Sequence, residues 1–199
     1  MLHSEYLLVL EHARSLEERL LADELRGQAV AFLSRRWMVA DGHLTSIQVP
    51  VLDSDQEVEV EIDHDRQTYF YRSPSCRGRV VTRPLSDITL YAINLDAWMD
   101  DVCDLLEIEP SRRARSREVI AERLWHLGDI RVGQTHRFAP IYLARRLPSS
   151  AADWQHALLS AKRPSQGIVL TAHDVDIELP NSHQTCGIGR LLVDSGDGI

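Results

Sequence analysis

The sequence predicts an α+β fold, on the basis of three successive patterns of hydrophobic periodicity. Apolar residues recur at steps of three and four over residues 4–36, which is typical of a helix. From residue 36 to residue 93 the period changes to two, which is typical of strands. Helical stripes and short strands follow. We therefore expect an N-terminal helix plus antiparallel sheet over 1–94 and a helix–hairpin region with C-terminal strands over 95–199; one continuous domain is the alternative.

The first 36 residues predict one long amphipathic helix or a pair of helices. The apolar stripe consists of Leu7, Leu10, Ala13, Leu16, Leu20, Ala29 and Leu33. Gly27 lies within this stripe and is one candidate break. Ser15 followed by Glu18 matches a capping box, which is a second candidate break. A single stripe of this length is expected to pack on a sheet or on the helix of a partner.

An antiparallel meander is predicted next, because the connections between its strands are too short for crossover helices. Asp41–Gly42 is a strong two-residue hairpin signal between RWMVA and HLTSIQVPVL. The apolar residues after this turn change parity, so we expect a bulge near Thr45–Ser46. The later strands are EVEVEI (57–62), TYFYR (68–72), RVVTR (79–83) and ITLYAI (88–93).

Two helices are predicted after the meander. Asn94 is a suitable N-cap for a helix over 95–108. The second helix covers 111–127 and ends with Gly128 at the C′ position. The remaining predicted elements are strands near 129–133 and 138–145, a helix near 151–161, and strands near 167–172 and 188–193.

The composition excludes several classes of protein. The chain has 199 residues and a formal net charge of −8, so its surface as a whole does not suit nucleic acid. Its three cysteines are far apart, which argues against a disulfide framework or a zinc ribbon and fits a reducing compartment. The apolar stretches are shorter than the ~20 residues of a membrane span, and the N-terminus does not resemble a signal peptide. We expect a cytoplasmic protein without membrane contact.

Arginines are concentrated between residues 110 and 146. This segment contains nine arginines and three acidic residues, so it carries a charge of +6 and the rest of the chain carries −14. Lys162 is the only lysine, so the placement of arginines is more informative than their number. A local excess of positive charge suits phosphate binding, which dominates affinity for nucleic acids.

The predicted element order over 111–146, an arginine-rich helix followed by a hairpin, resembles the second half of a winged helix. In helix-turn-helix proteins, the N-terminal residues of the recognition helix contact the bases of DNA. The resemblance implies DNA or RNA as a partner and favours a non-enzymatic accessory or regulatory protein. The residues expected to bind nucleic acid are Arg112, Arg113, Arg115, Arg117, Arg131, His136 and Arg137.

The alternative hypothesis is a protein–protein adaptor or oligomeric scaffold. The long N-terminal stripe would be its interface, either with a different protein or with a second copy of the chain. Deletion of residues 1–26 would then change the mass in solution.

Acidic residues and histidines give weaker signals of chemistry. Glu57, Glu59 and Glu61 alternate along one predicted strand, about 6.6 Å apart, which does not by itself build a two-metal site. Residues 173–178 (HDVDIE) contain potential metal ligands and support a third hypothesis, a metal-dependent hydrolase. His183 lies close to Cys186, as a base and a cysteine nucleophile would. From these patterns we assign no catalytic residue, no metal ligand and no cofactor.

Overall fold

The fold is mixed α+β, with an N-terminal helix and several antiparallel sheets. The computed structural model describes residues 2–52, 54–115, 117–131, 137–147, 151–160, 166–175, 177–180 and 182–191. The helices of these residues are α1 (Leu2–His12), α2 (Ala29–Ser34), α3 (Leu95–Leu105), α4 (Ala151–Ser160) and α5 (Ile188–Leu191). The strands are β1 (Arg19–Leu20), β2 (Met38–His43), β3 (Ser46–Val51), β4 (Ser54–Glu59), β5 (Glu61–Asp63), β6 (Thr68–Arg72), β7 (Val80–Pro84), β8 (Thr89–Ile93), β9 (Glu118–Ile120), β10 (Leu124–Arg131), β11 (Phe138–Ala144), β12 (Gly167–Thr171) and β13 (His183–Gly187).

The chain forms two compact units, which differ from the two predicted regions in the position of α1. Unit 1 consists of Met1–Leu16 together with Leu95–Ile199, and unit 2 consists of Glu17–Asn94. The two observed units and the two predicted regions share a boundary after residue 94. The N-terminal helix, however, belongs to the same unit as the C-terminal half of the sequence.

Unit 1 is built on a five-stranded mixed sheet. Its strand order is β13-β12-β11-β10-β9; β9, β10 and β11 are antiparallel, whereas β11, β12 and β13 are parallel. Helix α4 lies between β11 and β12 in sequence and supplies the crossover that parallel neighbours require. Trp154 and Leu158 of α4 are buried in one core with Tyr142 of β11. Tyr6 of α1 stacks on Trp98 of α3, with ring centroids 5.6 Å apart.

Unit 2 contains three small antiparallel sheets. Their strand orders are β1-β8-β2, β3-β4 and β5-β6-β7. One core consists of Tyr69, Leu85 and Ile88, and partly buried apolar residues of β3, β5 and β6 pack against it. Phe32 and Trp37 are fully buried, with ring centroids 6.0 Å apart. These clusters hold together a meander of short strands.

Of the two alternatives predicted for residues 4–36, the single long helix is wrong; the structure has two helices, α1 and α2, with the short strand β1 between them. The Ser15 hydroxyl donates a hydrogen bond to Glu122 Oε1 at 2.9 Å rather than capping a helix locally. At the candidate break near Gly27, Arg26 and Gly27 have φ angles of 51° and 72°, which lie outside the range of a right-handed helix.

The tight turn predicted at Asp41–Gly42 is also wrong. Both residues lie inside β2, which pairs with β8, and the register shifts between Ala40 and His43. The chain therefore forms a bulge at these residues, and Gly42 with φ 96° accommodates it. The bulge expected near Thr45–Ser46 lies a few residues earlier, and the hairpin partner of β3 is β4.

The arginine-rich helix predicted over 111–127 does not form. Pro110–Arg112 is a 3-10 turn, followed by β9 and by the start of β10. Gly128, expected as a helix C-cap, lies at a bulge in β10. The hairpin expected after this helix is present as β10 and β11, and β11 also pairs with β12, so both strands belong to the five-stranded sheet. Ile188–Leu191 forms α5 instead of the strand predicted at 188–193, and residues 192 and 193 lie outside the described residues.

The other elements predicted for this part of the chain are confirmed. Helices over 95–108 and 151–161 correspond to α3 and α4, and the strand over 167–172 corresponds to β12. None of the helices in the described ranges has the length and apolar character that crossing a bilayer requires.

Candidate nucleic-acid interface

Two of the predicted nucleic-acid-binding arginines are paired with the acidic side of α3. Arg113 bonds to Asp104 and to the carbonyl oxygen of Ile108, the latter at 3.1 Å. Arg117 bonds to Asp100 and lies 3.8 Å from Asp96 Oδ1. The two side chains are only 21% and 16% exposed. They therefore attach the segment before β9 to α3 rather than projecting into solvent.

The electrostatics of this contact agree with a structural role. The hydrogen bond to Asp104 is the main cause that raises the pKa of Arg113, against the opposing effect of burial. Since an arginine stays charged at any ordinary pH, this shift records a favourable contact with the aspartate and not a change of ionisation.

Arginines at the far end of the segment have internal partners as well. Arg145 is buried, with a side chain only 3% exposed, and bonds to carbonyl oxygens at the end of α1. The backbone N–H of Arg146 donates to the carboxylate of Glu11 at 2.8 and 2.9 Å. Arg123 is exposed and lies 3.4 Å from Asp153 on α4. The positive charge that the sequence concentrates at 110–146 is thus partly neutralised within unit 1.

Arg112 is arranged differently from its neighbours. Its guanidinium lies over the ring of Phe138, with Cζ 3.5 Å from the ring centroid. Glu109 approaches its Nε at 3.4 Å, and the side chain remains 38% exposed. Stacking on an aromatic ring fixes the plane of the guanidinium while leaving N–H groups for a ligand.

Arg112 and Arg131 line the same cleft, together with Phe138. The cleft has a volume of about 470 Å³, within the usual range for small-molecule sites. Its wall consists of Leu106, Glu107, Glu109, Arg112, Asp129, Ile130, Arg131 and Phe138. The side chains of opposite charge and the aromatic ring offer donors, acceptors and a stacking surface in one place.

Arg115 and Arg137 are not among the described residues that line this cleft. Arg115 is exposed. Arg137 is exposed and directly precedes Phe138 in the chain. His136 lies outside the described residues. Phe138 is not among the residues predicted from the sequence, although an aromatic residue next to arginines in a predicted hairpin is a signal of nucleic-acid stacking.

The acidic segment 173–178 has a structural role at Asp174. Its Oδ1 accepts a hydrogen bond from the N–H of Gly187 at 3.1 Å, and Oδ2 lies 2.8 Å from Nε of Arg190. A Cβ on Gly187 would come within 2.9 Å of Asp174, so the two segments are in close contact. Asp176 lies outside the described residues. Within the described part of the chain, no three acidic, histidine or cysteine side chains come together as a metal site would require.

His183 and Cys186 lie on β13 but do not form an activated pair. His183 is buried, and its Nδ1 lies 2.7 Å from the carbonyl oxygen of Pro180. Burial, and next the charge of Asp174, raise the pKa of the Cys186 thiol, whereas Arg190 opposes this shift. A raised pKa keeps the thiol protonated, which is the reverse of what a cysteine nucleophile needs.

Two further features of the sequence are the glutamates near residues 57–61 and the apolar residues of α1. Glu57 and Glu59 are exposed on β4. The apolar residues of α1 are buried within unit 1, with Tyr6, Leu7, Val9 and Leu10 at most 3% exposed.

Comparison with known proteins finds no family model, no curated protein and no solved structure that matches the chain.

Proposed function

We propose that the protein is a non-enzymatic accessory protein that binds single-stranded nucleic acid, with one base held in the cleft of Arg112, Phe138 and Arg131. The observation that carries this proposal is the convergence of a stacked arginine, an aromatic ring and a second arginine on one cleft of about 470 Å³. Single-stranded RNA and DNA are recognised by such stacking surfaces, combined with positive groups for the phosphates.

The carboxylates of the cleft favour a single strand over a duplex. Glu107, Glu109 and Asp129 line the same space as the two arginines. A duplex presents its phosphates outward, and three carboxylates would repel them. An unpaired base, by contrast, exposes amino groups that donate to a carboxylate, as the amino group of cytosine does.

The other hypotheses have less support. The apolar stripe of α1 is covered within unit 1, so it offers little surface for the adaptor hypothesis. Asp174 is engaged by Gly187 and Arg190, so one of the potential ligands of the hydrolase hypothesis already has internal partners.

The proposal is tested by fluorescence anisotropy with labelled 20-nucleotide uridine and thymidine strands and a 20-base-pair duplex at 50 mM KCl. Phe138→Leu should weaken single-strand binding at least fivefold, because aromatic stacking contributes about 1–3 kcal/mol per base. Arg112→Gln should weaken binding and reduce the slope of log K against log salt by about 0.7, as expected for one lost phosphate contact.

The control is Arg123→Gln. Arg123 is an exposed arginine of the same unit and is paired with Asp153. This variant should bind like the unmodified protein. Absence of any binding at 50 mM KCl, or equal affinities for Phe138→Leu, Arg112→Gln and the control, would contradict the proposal.

A further inference from the structure

A second basic segment lies in unit 2 and was not recognised in the sequence analysis. Residues 66–84 contain five arginines and no acidic residue. They form β6, β7 and the loop between the two strands. We propose that this β6–β7 hairpin is a further contact surface for single-stranded nucleic acid, with phosphates at its tip and a base on Phe70.

The tip of the hairpin presents three arginines to solvent. Arg72, Arg77 and Arg79 are exposed, and within the described part of the chain none of them forms an ion pair. This differs from unit 1, where Arg113 and Arg117 are neutralised by α3. Unpaired cations at the surface of an acidic chain attract a polyanion without first breaking an internal contact.

The loop that carries these arginines is well ordered by its own backbone. The N–H of Ser73 donates to the carbonyl of Arg79 at 2.8 Å, and that of Gly78 donates to the carbonyl of Ser73 at 3.0 Å. The N–H of Arg79 donates to the carbonyl of Cys76, also at 3.0 Å. Ser73 itself is 4% exposed. Because the loop is closed by these bonds, the arginines are held near one another before a ligand arrives.

The sheet next to the tip provides an aromatic surface. Residues alternate between the two faces of β6, and Tyr69 belongs to the core of unit 2. Phe70 and Arg72 therefore share the other face, where they line a groove of about 350 Å³ with Val80. Val80 is 49% exposed, so this face is open to solvent. Glu59 and Glu61 also line the groove and can accept hydrogen bonds from base amino groups.

These features together favour nucleic acid over an acidic protein segment. An acidic peptide would use the arginines but would gain nothing specific from a half-buried aromatic ring beside two carboxylates. A single strand uses both, since each nucleotide brings a phosphate and a flat base. The surface is separate from the cleft of Arg112, so it extends the proposed function to a second site.

The test compares two matched double variants in the same anisotropy assay. Arg77→Gln with Arg79→Gln should weaken binding of the uridine strand about tenfold at 50 mM KCl and reduce the salt slope by about 1.4. The control is Arg26→Gln with Arg36→Gln, two exposed arginines of unit 2. Arg26 and Arg36 have φ angles of 51° and 60°, close to the 50° of Arg77, so the control removes equal charge from a similar backbone.

Phe70→Leu keeps an apolar side chain on the same strand and should weaken binding at least fivefold. If either Phe70→Leu or the Arg77 and Arg79 double variant binds like the control, the proposal is wrong. It is also wrong if poly-glutamate of equal charge displaces the uridine strand as well as unlabelled uridine strand does. Loss of binding in these variants but not in Phe138→Leu and Arg112→Gln would contradict the cleft proposal alone, and the reverse result would contradict the hairpin proposal alone.

Discussion

Arg145 Nε donates a hydrogen bond to the carbonyl oxygen of Leu10 at 2.5 Å and thereby ties β11 to the end of α1. The same guanidinium donates to the carbonyl oxygen of Ala13 and lies 3.5 Å from Glu122 Oε2. The last carbonyl groups of a helix lack intrahelical partners, and a buried cation that donates to them also interacts favourably with the helix dipole. Arg145 thus satisfies carbonyl groups at the end of α1, together with Arg146, which donates to the carbonyl oxygens of Glu11 and Ala13.

Arg145→Met should destabilise unit 1 by about 3–5 kcal/mol. The variant removes the buried cation that donates to the carbonyl oxygens of Leu10 and Ala13 and lies beside the carboxylate of Glu122, although methionine retains the apolar part of the side chain. Urea unfolding followed by tryptophan fluorescence measures the loss. Arg123→Met is the control, since its exposed pair with Asp153 contributes under about 1 kcal/mol. Equal stabilities of the two variants would contradict this role of Arg145.

Gly128→Ala should destabilise unit 1 by about 2 kcal/mol and also weaken nucleic-acid binding. A Cβ at this position would lie 2.6 Å from the carbonyl oxygen of Arg112, which belongs to the backbone and cannot rotate away. The displaced backbone carries the guanidinium that stacks on Phe138, so the cleft changes with it. Thermal unfolding and the anisotropy assay measure the two effects. Gly189→Ala is the control, because its nearest neighbour is Ser4 Oγ at an ordinary 3.5 Å.

The stability of unit 1 should fall as pH rises above about 8.5, in part because of Cys103. Burial is the main cause that raises the pKa of its thiol, with Arg117 and Arg113 opposing. Above the pKa of the unfolded thiol, about 8.5, the unfolded state releases a proton that the folded state keeps. Unfolding is then favoured increasingly with pH, by at most about 1.4 kcal/mol per pH unit, up to the raised pKa of the folded state.

Urea midpoints at pH 7, 8.5 and 9.5 test this, with Cys103→Ala as the comparison. The variant should lose less stability between pH 8.5 and 9.5 than the unmodified chain. Identical pH dependences for the two proteins would show that Cys103 does not contribute.

Helices α3 and α4 could be predicted from the sequence because their information is local. The stripe of α3 and its preceding Asn94 lie within one continuous segment, and Trp98 and Val102 are buried as the stripe requires. The segment 111–127 also has helical spacing of apolar residues, yet Leu124 and Leu127 are buried in a strand. The pairing of β10 with β11 over seven residue pairs stabilises a strand more than the local sequence favours a helix. This pairing depends on residues distant in sequence, so no local pattern reveals it.

The candidate site was only partly predictable for a related reason. Arg112 and Arg131 were identified as binding residues, but the cleft they share depends on Phe138 and on the fold of the sheet. Arg113 and Arg117 are also predicted to bind nucleic acid, because the residues around them in sequence do not reveal their carboxylate partners on α3. The sequence does contain one indication, since Asp96, Asp100 and Asp104 recur every four residues, as the face of a helix does, and the two arginines are also four apart.

Unit 1 is formed from two segments that are distant in sequence, and this affects the order in which the protein assembles. Arg145 lies 135 residues beyond Leu10, so at 5–20 residues per second the ribosome needs about 7–27 s to deliver this donor after α1 has been made. During that interval Glu17–Asn94, which is continuous in sequence, has all the residues of its own cores available. Helix α1 therefore acquires these tertiary hydrogen bonds only after synthesis has reached Arg145.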